Sequence, residues 1–225
     1  MDLRRTRILF DSPGPFLTVH VEVGAGTDDA GRRADERWSR LRARLEQARV
    51  RAQLVEDIGD RLGEALDVRG AARRTIVATE DGVVFDEVQV ADSSWPETAE
   101  LFEPLPDLAG WLWVEDRAGN GEAEKRAAAD LLARAAGAGA AHGVDEVLDA
   151  LVHDRVDRVF LDLAAARTLT VRPAQHEGLA LPAAAAVRDA LPADRVVVAA
   201  AAATDTALSL DSALGGVSAV LRTPG

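Results

Sequence analysis

The sequence predicts an α+β N-terminal domain followed by a small α/β sandwich C-terminal domain. Three observations predict this fold class. Period-2 strand patterns and amphipathic helices are mixed over the first hundred residues, a turn dipeptide joins two β-rich runs at 73–90, and short strands alternate with helices over the last 80 or so residues. With 225 residues, 48% of them hydrophobic and 28% charged, the chain is globular and long enough for two domains.

The first predicted elements surround a proline-rich turn. A strand is expected over 6–10, a turn at 12–15, and a second strand over 16–23. In the second strand, Leu17, Val19 and Val21 alternate with more polar residues, which predicts one dry face.

Two helices and a hairpin follow the loop "GAGTDDAG" at 24–31. The helix over 32–48 carries an apolar stripe of Ala34, Trp38, Leu41 and Leu45, at spacings of four, three and four. A second helix carries Leu54, Ile58 and Leu62 and is expected to end at Gly63. The run "RRTIVATEDGVVFDEVQV" (73–90) predicts a hairpin that turns at Asp81-Gly82.

The domain boundary is placed within 115–140. We predict an N-terminal domain over 1–115, a linker helix within 116–139 and a C-terminal domain over 140–225. A further strand is expected around 111–114 and a helix over 121–137. The predicted elements of the second domain are a helix over 144–152, a strand over 156–161, a strand-like run over 167–173, a helix over about 182–190, and closing strands in "TALSL" and at 215–222.

No constellation of catalytic or metal-binding residues is present. Cysteine is absent, and His20, His142, His153 and His176 have no metal-ligand spacing. The loop at 24–31 follows a strand but lacks the lysine of a phosphate loop, and its aspartates would repel phosphate. We therefore expect no cofactor, no metal, no catalytic residue and no enzymatic activity.

The net charge of −12 is unevenly distributed along the chain. Residues 1–75 have a balance of +2, and residues 76–225 have a balance of −14. An acidic whole disfavours indiscriminate nucleic-acid binding, so no DNA partner is expected, while a local basic face near the front is compatible with RNA. No apolar run is long enough to span a bilayer and no signal peptide is evident, so a cytoplasmic, soluble protein without a membrane partner is expected.

Arginines near the front are the candidate binding residues. Along the helix over 32–48, arginines follow the spacing of the apolar stripe one step displaced. The candidate RNA-contacting side chains are Arg32, Arg33, Arg37, Arg40, Arg73 and Arg74. The alternative is a solvated face whose arginines pair within the helix, for example Asp35 or Glu36 with Arg40.

Several segments resemble a known family. The runs "RILFDSPGPFLTVHVEV", "ARRTIVATEDGVVFDEVQV" and "LPDLAGWL" are similar to the N-terminal domain of the bacterial branch of the archaeo-eukaryotic release factors, which includes Balon-type actinobacterial ribosome hibernation factors and is related to pelota. The runs "GVDEVLDALVHDRVDRVFLD" and "GGVSAVLR" resemble its C-terminal domain, which is similar to a kink-turn-binding ribosomal protein. The resemblance covers most of 5–115 and 140–222, and it implies that "PADRVVVAAAAAT" is a helix.

One departure from the family bears on function. The chain has no room for the family's central domain, and the Gly-Gly-Gln loop that release factors use for peptidyl-tRNA hydrolysis is absent. The resemblance therefore implies a ribosome-associated hibernation or stress factor that binds ribosomal RNA near the decoding site without release chemistry. It also implies that the C-terminal domain meets a translational GTPase or the ribosomal stalk base. Two alternatives stay open: a protein-interaction module that uses the acidic C-terminal half, and a hydrolase with an unrecognised site.

Overall fold

The computed structural model describes residues 3–23, 28–64, 72–90, 98–119, 122–135 and 139–222. Within these ranges side chains are described except at 28–34, 118–119, 122–125 and 128–129. The described chain mixes helices and sheets, and the predicted fold class, an α+β first part and an α/β second part, is confirmed.

The chain divides into two units. The first unit is Gly14–Val114, and the second unit combines Met1–Pro13 with Glu115–Gly225. The division near 115 lies where the sequence placed the end of the first domain. The structure differs from the prediction in the described residues 3–13, which belong to one unit with the C-terminal part of the chain.

The first unit contains one antiparallel sheet. Its strands lie in the order β3-β2-β1-β4, and each neighbouring pair is antiparallel. In chain order, after a short helix α1 (Arg7–Asp11), the elements are β1 (Phe16–Glu22), α2 (Asp28–Gln47), α3 (Ala52–Gly63), β2 (Ala72–Thr79), β3 (Gly82–Val90), β4 (Thr98–Glu103) and α4 (Ala109–Gly119).

Helices α2 and α3 cover one face of this sheet. Strand residues Val19 and Ile76 and helix residues Leu45 and Ile58 belong to one cluster of buried apolar side chains, each at most 1% exposed. Trp38 and Leu41 pack against the same cluster, as the predicted stripe requires. Burial of this stripe, at about 1.5–3 kcal/mol for each fully buried aliphatic side chain, fixes the rotation of α2 about its own axis.

The opposite face of β1 is also buried, which the alternation did not predict. His20 is 1% exposed, and its ring bonds the Thr75 hydroxyl at 2.9 Å and the Asp107 carbonyl at 2.8 Å. The Asp107 N–H donates to the Thr18 hydroxyl at 3.3 Å. The expectation of a single dry face is wrong because the segment before α4 supplies backbone partners for polar side chains there.

Helix α4 replaces the strand predicted around 111–114. The Asp107 carboxylate accepts the Ala109 N–H at 3.0 Å, which is the capping contact of a helix start. Trp111 is fully buried, and its ring meets the edge of Phe85 with centroids 5.9 Å apart.

The strand preceding this helix, β4, was not predicted. The hairpin is confirmed, but Thr79 pairs with Gly82, so the turn is at residues 80–81, one residue earlier than predicted.

The second unit contains a mixed sheet in the order β5-β10-β6-β9, where only β6 and β9 are parallel, and a two-stranded sheet of β7 and β8. Short 3₁₀ helices lie at Arg4–Thr6 and Pro173–Gln175. The other elements are α5 (Glu122–Arg134), β5 (Ala140–His142), α6 (Val144–Val152), β6 (Val156–Leu161), α7 (Leu163–Arg167), β7 (Thr170–Val171), α8 (Ala183–Ala186), β8 (Leu191–Pro192), α9 (Ala193–Ala203), β9 (Ala207–Leu210) and β10 (Val217–Leu221).

Most predicted elements of the second unit are observed, including α6, β6, α9, β9 and β10. The strand-like run over 167–173 contains only the two-residue β7, and the helix over 182–190 is only the four-residue α8. The strand predicted over 6–10 is wrong. This segment belongs to α1, which packs on α9 and buries Leu9 completely, because a short apolar run does not by itself distinguish strand from helix.

Two ion pairs attach the N-terminal segment to the rest of the second unit. Arg5 lies 3.1 Å from Glu115, and Arg7 lies 3.1 Å from Asp205. Further along, the Ala184 N–H donates to the Pro13 carbonyl at 3.0 Å. The ion pairs are largely exposed and contribute little, so the buried side chains of Leu3 and Leu9 are the main source of this attachment.

Across the described ranges, no helix is both long enough and apolar enough to cross a membrane.

The close packing of α2 on α3 generates the first prediction. A Cβ on Gly59 would lie 2.6 Å from the Trp38 ring, whereas nothing lies within 4 Å of a Cβ on Gly63 in the same helix. We expect Gly59→Ala to lower the free energy of unfolding by about 1–3 kcal/mol, in spite of alanine's better helix propensity. Gly63→Ala is the matched control, and we expect it not to lower the free energy of unfolding. Urea unfolding of both variants checks this, and equal midpoints would contradict it.

Candidate nucleic-acid interface

Arginines of α2 lie along the border of its apolar stripe. Arg37, Arg40 and Arg44 are three and four residues apart, so they share one side of the helix. Because Trp38 and Leu41 pack on the sheet, this side of α2 faces the sheet edge formed by β1 and β4.

The three arginines line one cleft of about 200 Å³ in the first unit. We call it the arginine cleft. It is lined by Val19, His20, Val21, Arg37, Arg40, Leu41, Arg44, Thr98 and Ala99. The cleft lies where the pairing of β4 with β1 ends, at Thr98 opposite His20. An acid-poor concavity with several guanidinium groups is a geometry that binds phosphate oxygens.

Arg37 is already engaged at the wall of the cleft. Its Nη2 lies 3.3 Å from the Glu22 carboxylate, and its Nη1 donates to the Glu22 carbonyl at 3.4 Å. The carbonyl belongs to the end of β1, beyond the last residue paired with β4. Arg37 therefore satisfies an acceptor of the sheet edge, and its side chain is only 20% exposed.

Arg40 and Arg44 are exposed and make no ion pair within the described part of the chain. The alternative that Asp35 or Glu36 neutralises Arg40 is therefore not observed there. By contrast Arg42, on the other side of α2, pairs with Glu46 at 2.8 Å. Of the three arginines that line the cleft, Arg40 and Arg44 are therefore the two without an acidic partner among the described residues.

Two of the predicted RNA-contacting residues are in the wrong place for that role. Arg73 is 3% exposed and Arg74 is 5% exposed, both within β2. A guanidinium that is buried inside the sheet cannot reach a phosphate of a large partner. The charge pattern of the sequence placed Arg73 and Arg74 in one group with the arginines of α2. Their burial in β2 excludes them from the proposed RNA contact.

Arg74 is instead the centre of a buried ion-pair network. Its Nε and Nη2 donate to the two oxygens of Asp86 at 2.6 and 2.7 Å, Nη2 also reaches Glu64 at 2.9 Å, and Nη1 donates to the Arg61 carbonyl. The hydrogen bond to Asp86 is the largest cause that raises the pKa of Arg74 above its ordinary value. These contacts fix α3 against the hairpin.

The remaining predicted residues, Arg32 and Arg33, belong to the first turns of α2. Their side chains lie outside the described residues. Arg37 and Arg40 do line the cleft together. Arg44 joins them as the next member of the same spacing, and Thr98 and His20 are contributed by strands that no local sequence pattern links to α2.

The histidines make structural contacts. The backbone carbonyl of Asp107 can only accept a hydrogen bond. The Nε2 of His20 is therefore protonated and donates to this carbonyl. In the second unit, the His176 Nδ1 lies 2.9 Å from Asp149, the His142 Nδ1 lies 3.2 Å from Ser218, and the His153 Nδ1 bonds the Asp149 carbonyl at 2.7 Å. Among the described residues, no group of three or more His, Asp and Glu side chains is arranged to hold a metal ion.

The Arg74 network generates a stability prediction. Arg74→Met leaves the half-buried Asp86 without its main partner, and we expect it to lower the free energy of unfolding by about 2–4 kcal/mol. The Glu64 side chain is 60% exposed. Glu64→Gln removes this partner alone, so we expect it to lower the free energy of unfolding by less than about 1 kcal/mol.

The double variant Arg74→Met/Asp86→Leu separates charge from packing. It removes both buried charges, so we expect it to recover most of the loss in urea unfolding. A double variant as unstable as Arg74→Met alone would contradict the electrostatic explanation.

Comparison with known proteins leaves the family open. No protein-family model matches the chain, and no curated protein matches its sequence.

Proposed function

We propose that this protein is a ribosome-associated factor that binds ribosomal RNA through the arginine cleft and does not hydrolyse peptidyl-tRNA. The observation that carries the proposal is the pair Arg40 and Arg44, which face one cleft without an acidic partner in the described part of the chain. Exposed guanidinium groups of this kind pair with RNA phosphates.

The sequence resemblance supplies the ribosome as the RNA partner. The segments similar to Balon-type hibernation factors include β1 and the β2–β3 hairpin, which belong to the same unit as the cleft. We infer that this unit contacts the decoding side of the ribosome. Because Arg73 and Arg74 are buried, the proposed RNA contact is restricted to α2 and the adjoining sheet edge.

The absence of release chemistry rests on the sequence. A release factor positions its hydrolytic water with a Gly-Gly-Gln loop, and Gly215-Gly216 is followed by Val217 in this chain. We therefore propose a binding role in the cytoplasm, in ribosome hibernation or stress, with no cofactor.

The second unit is proposed to meet a protein partner such as a translational GTPase. Exposed acids on α6, including Asp145 and Glu146, give it a surface that suits a basic partner. A protein-interaction module without any ribosomal role is the competing function, and the following experiment distinguishes the two.

The test is co-sedimentation of the full chain with ribosomes over a range of salt concentrations. We expect association that weakens with salt, and at least about tenfold weaker binding for Arg40→Glu/Arg44→Glu, because each charged contact to phosphate is lost. The logarithmic dependence on salt should also become shallower by about 1–2.

A matched control keeps the net charge the same. Arg42→Glu/Arg51→Glu reverses two exposed arginines that do not line the cleft, and it should bind ribosomes as the parent protein does, apart from a small general charge effect. Equal losses in both double variants would reject the cleft as the RNA contact. Binding that is absent for the parent protein would reject the ribosomal function and favour the protein-interaction module.

A further inference from the structure

The side chain of His176 lies between two carboxylates of α6. Its Nδ1 is 2.9 Å from an oxygen of Asp149, and its Nε2 is 3.3 Å from an oxygen of Asp145. The two aspartates are four residues apart, so they share one side of the helix. The His176 side chain is only 3% exposed, whereas that of Asp145 is 85% exposed and that of Asp149 is 59% exposed. One buried imidazole therefore faces two acids that have access to water.

Only one of these two contacts is aligned as a hydrogen bond. The Nδ1 of His176 makes it with the Asp149 carboxylate, while the buried Nε2 has no hydrogen-bond partner among the described residues. An ionised carboxylate only accepts, so Nδ1 carries the proton when the ring is neutral. Nε2 then directs a lone pair toward the Asp145 oxygen, and that contact is repulsive. An imidazolium has an N–H at both positions and attracts both carboxylates.

The surroundings of His176 leave the two aspartates as the groups that respond to its charge. Arg172 and Glu177, before and after it in the chain, are both exposed, and α8, which packs on the preceding 3₁₀ helix, consists of four alanines. Elsewhere on α6, Glu146 accepts a backbone N–H at 2.9 Å, and at the end of α6 His153 bonds a backbone carbonyl at 2.7 Å. Within the described part of the chain, the ion pairs of the His176 ring are those with the two aspartates.

The backbone around His176 forms a compact turn that rests on α6. The His176 N–H donates to the Pro173 carbonyl at 3.0 Å, and the Leu179 N–H donates to the His176 carbonyl at 3.1 Å. Gly178 lies against α6 itself, since a Cβ there would be 3.1 Å from a methyl carbon of Val152. The ring of His176 adds a polar contact to this apolar packing.

From these contacts we infer that His176 is a pH-dependent latch between α6 and the turn at 173–179. At low pH the imidazolium donates to Asp149 and Asp145 at once, which closes the latch and draws Asp145 from water. At higher pH the neutral ring keeps its hydrogen bond to Asp149 alone, and Asp145 turns toward solvent. Histidine is the side chain whose ordinary change of charge falls between about pH 5 and 8, which sets the range for the test.

Closing the latch changes two properties of the second unit. The exposed surface of α6 becomes less negative, because Asp145 then pairs with a positive ring. The turn also becomes harder to open, because charge-assisted hydrogen bonds are roughly twice as strong as neutral ones. The inference goes beyond the proposed function and does not depend on it, since neither property requires a ribosome.

The first test is a titration of the full chain between about pH 5 and 8, followed by NMR of the histidine ring nitrogens and the aspartate carboxyl carbons. We expect neutral His176 to carry its proton on Nδ1, whereas free histidine favours Nε2. The carboxyl carbon of Asp145 should respond at the same pH as the His176 ring, and that of Asp157, an exposed residue of β6, should not. A neutral ring protonated on Nε2, or an Asp145 that does not respond with the ring, would overturn the latch.

Variants of the acids test which charge the ring senses. Asp145→Asn should lower the proton affinity of His176 by about twofold to fivefold, because it removes a nearby charge that water partly screens. Asp157→Asn removes the same charge from an exposed position on β6 and is the matched control, which should leave that proton affinity nearly unchanged. Equal losses in the two variants would show a general charge effect and reject the latch.

Amide hydrogen exchange measures the closing of the turn. After correction for the intrinsic dependence of exchange on pH, the Leu179 N–H should be protected about threefold to tenfold more at about pH 5.5 than at about pH 7.5. His176→Asn keeps an N–H donor near the position of Nδ1 but does not titrate, so its protection should not change with pH. Protection that is independent of pH in the parent protein, or that changes equally in His176→Asn, would contradict the inference.

Discussion

The packing of α2 against the first sheet is the interaction on which the candidate site depends. Trp38, Leu41 and Leu45 rotate the helix so that its apolar stripe is dry. That rotation leaves the next stripe, which is arginine-rich, at the boundary between protein and solvent. The cleft is therefore a consequence of hydrophobic burial: the same force that stabilises the first unit places charged groups at its edge.

The buried arginine and the cleft arginines show how position decides the role of one residue type. Arg74 lies between a hairpin strand and the end of α3, where two carboxylates and a carbonyl surround it. Arg40 and Arg44 have the same side chain, but neither pairs with an acid among the described residues, and Glu22 at the adjoining sheet edge pairs with Arg37 instead. The first kind of arginine fixes the structure, and the second kind remains available to a partner.

The parts of the structure that sequence predicted well are those with a long, regular pattern. The stripe of α2, the β2–β3 hairpin and α6 each repeat a period over enough residues to define a face. The run around Trp111 is too short to define one, and there the Asp107 cap selects a helix. The burial of Arg74 depends on Asp86 across the hairpin and on the end of α3, so the charge pattern of β2 alone could not show it. Half of the cleft was predictable from α2; Thr98 was not, because strand pairing brings it beside His20 from almost eighty positions away.

The N-terminal segment imposes an order on biosynthesis. Leu9 is made before α9, the helix on which α1 packs, and α9 begins about 180 residues after Pro13. At typical translation rates this interval lasts about 10–40 s. Residues 14–114, which form the first unit, can complete their own core during that time. The second unit closes only when α1 and α9 have both been made, so a ribosome that stalls before α9 leaves the apolar side chain of Leu9 in water.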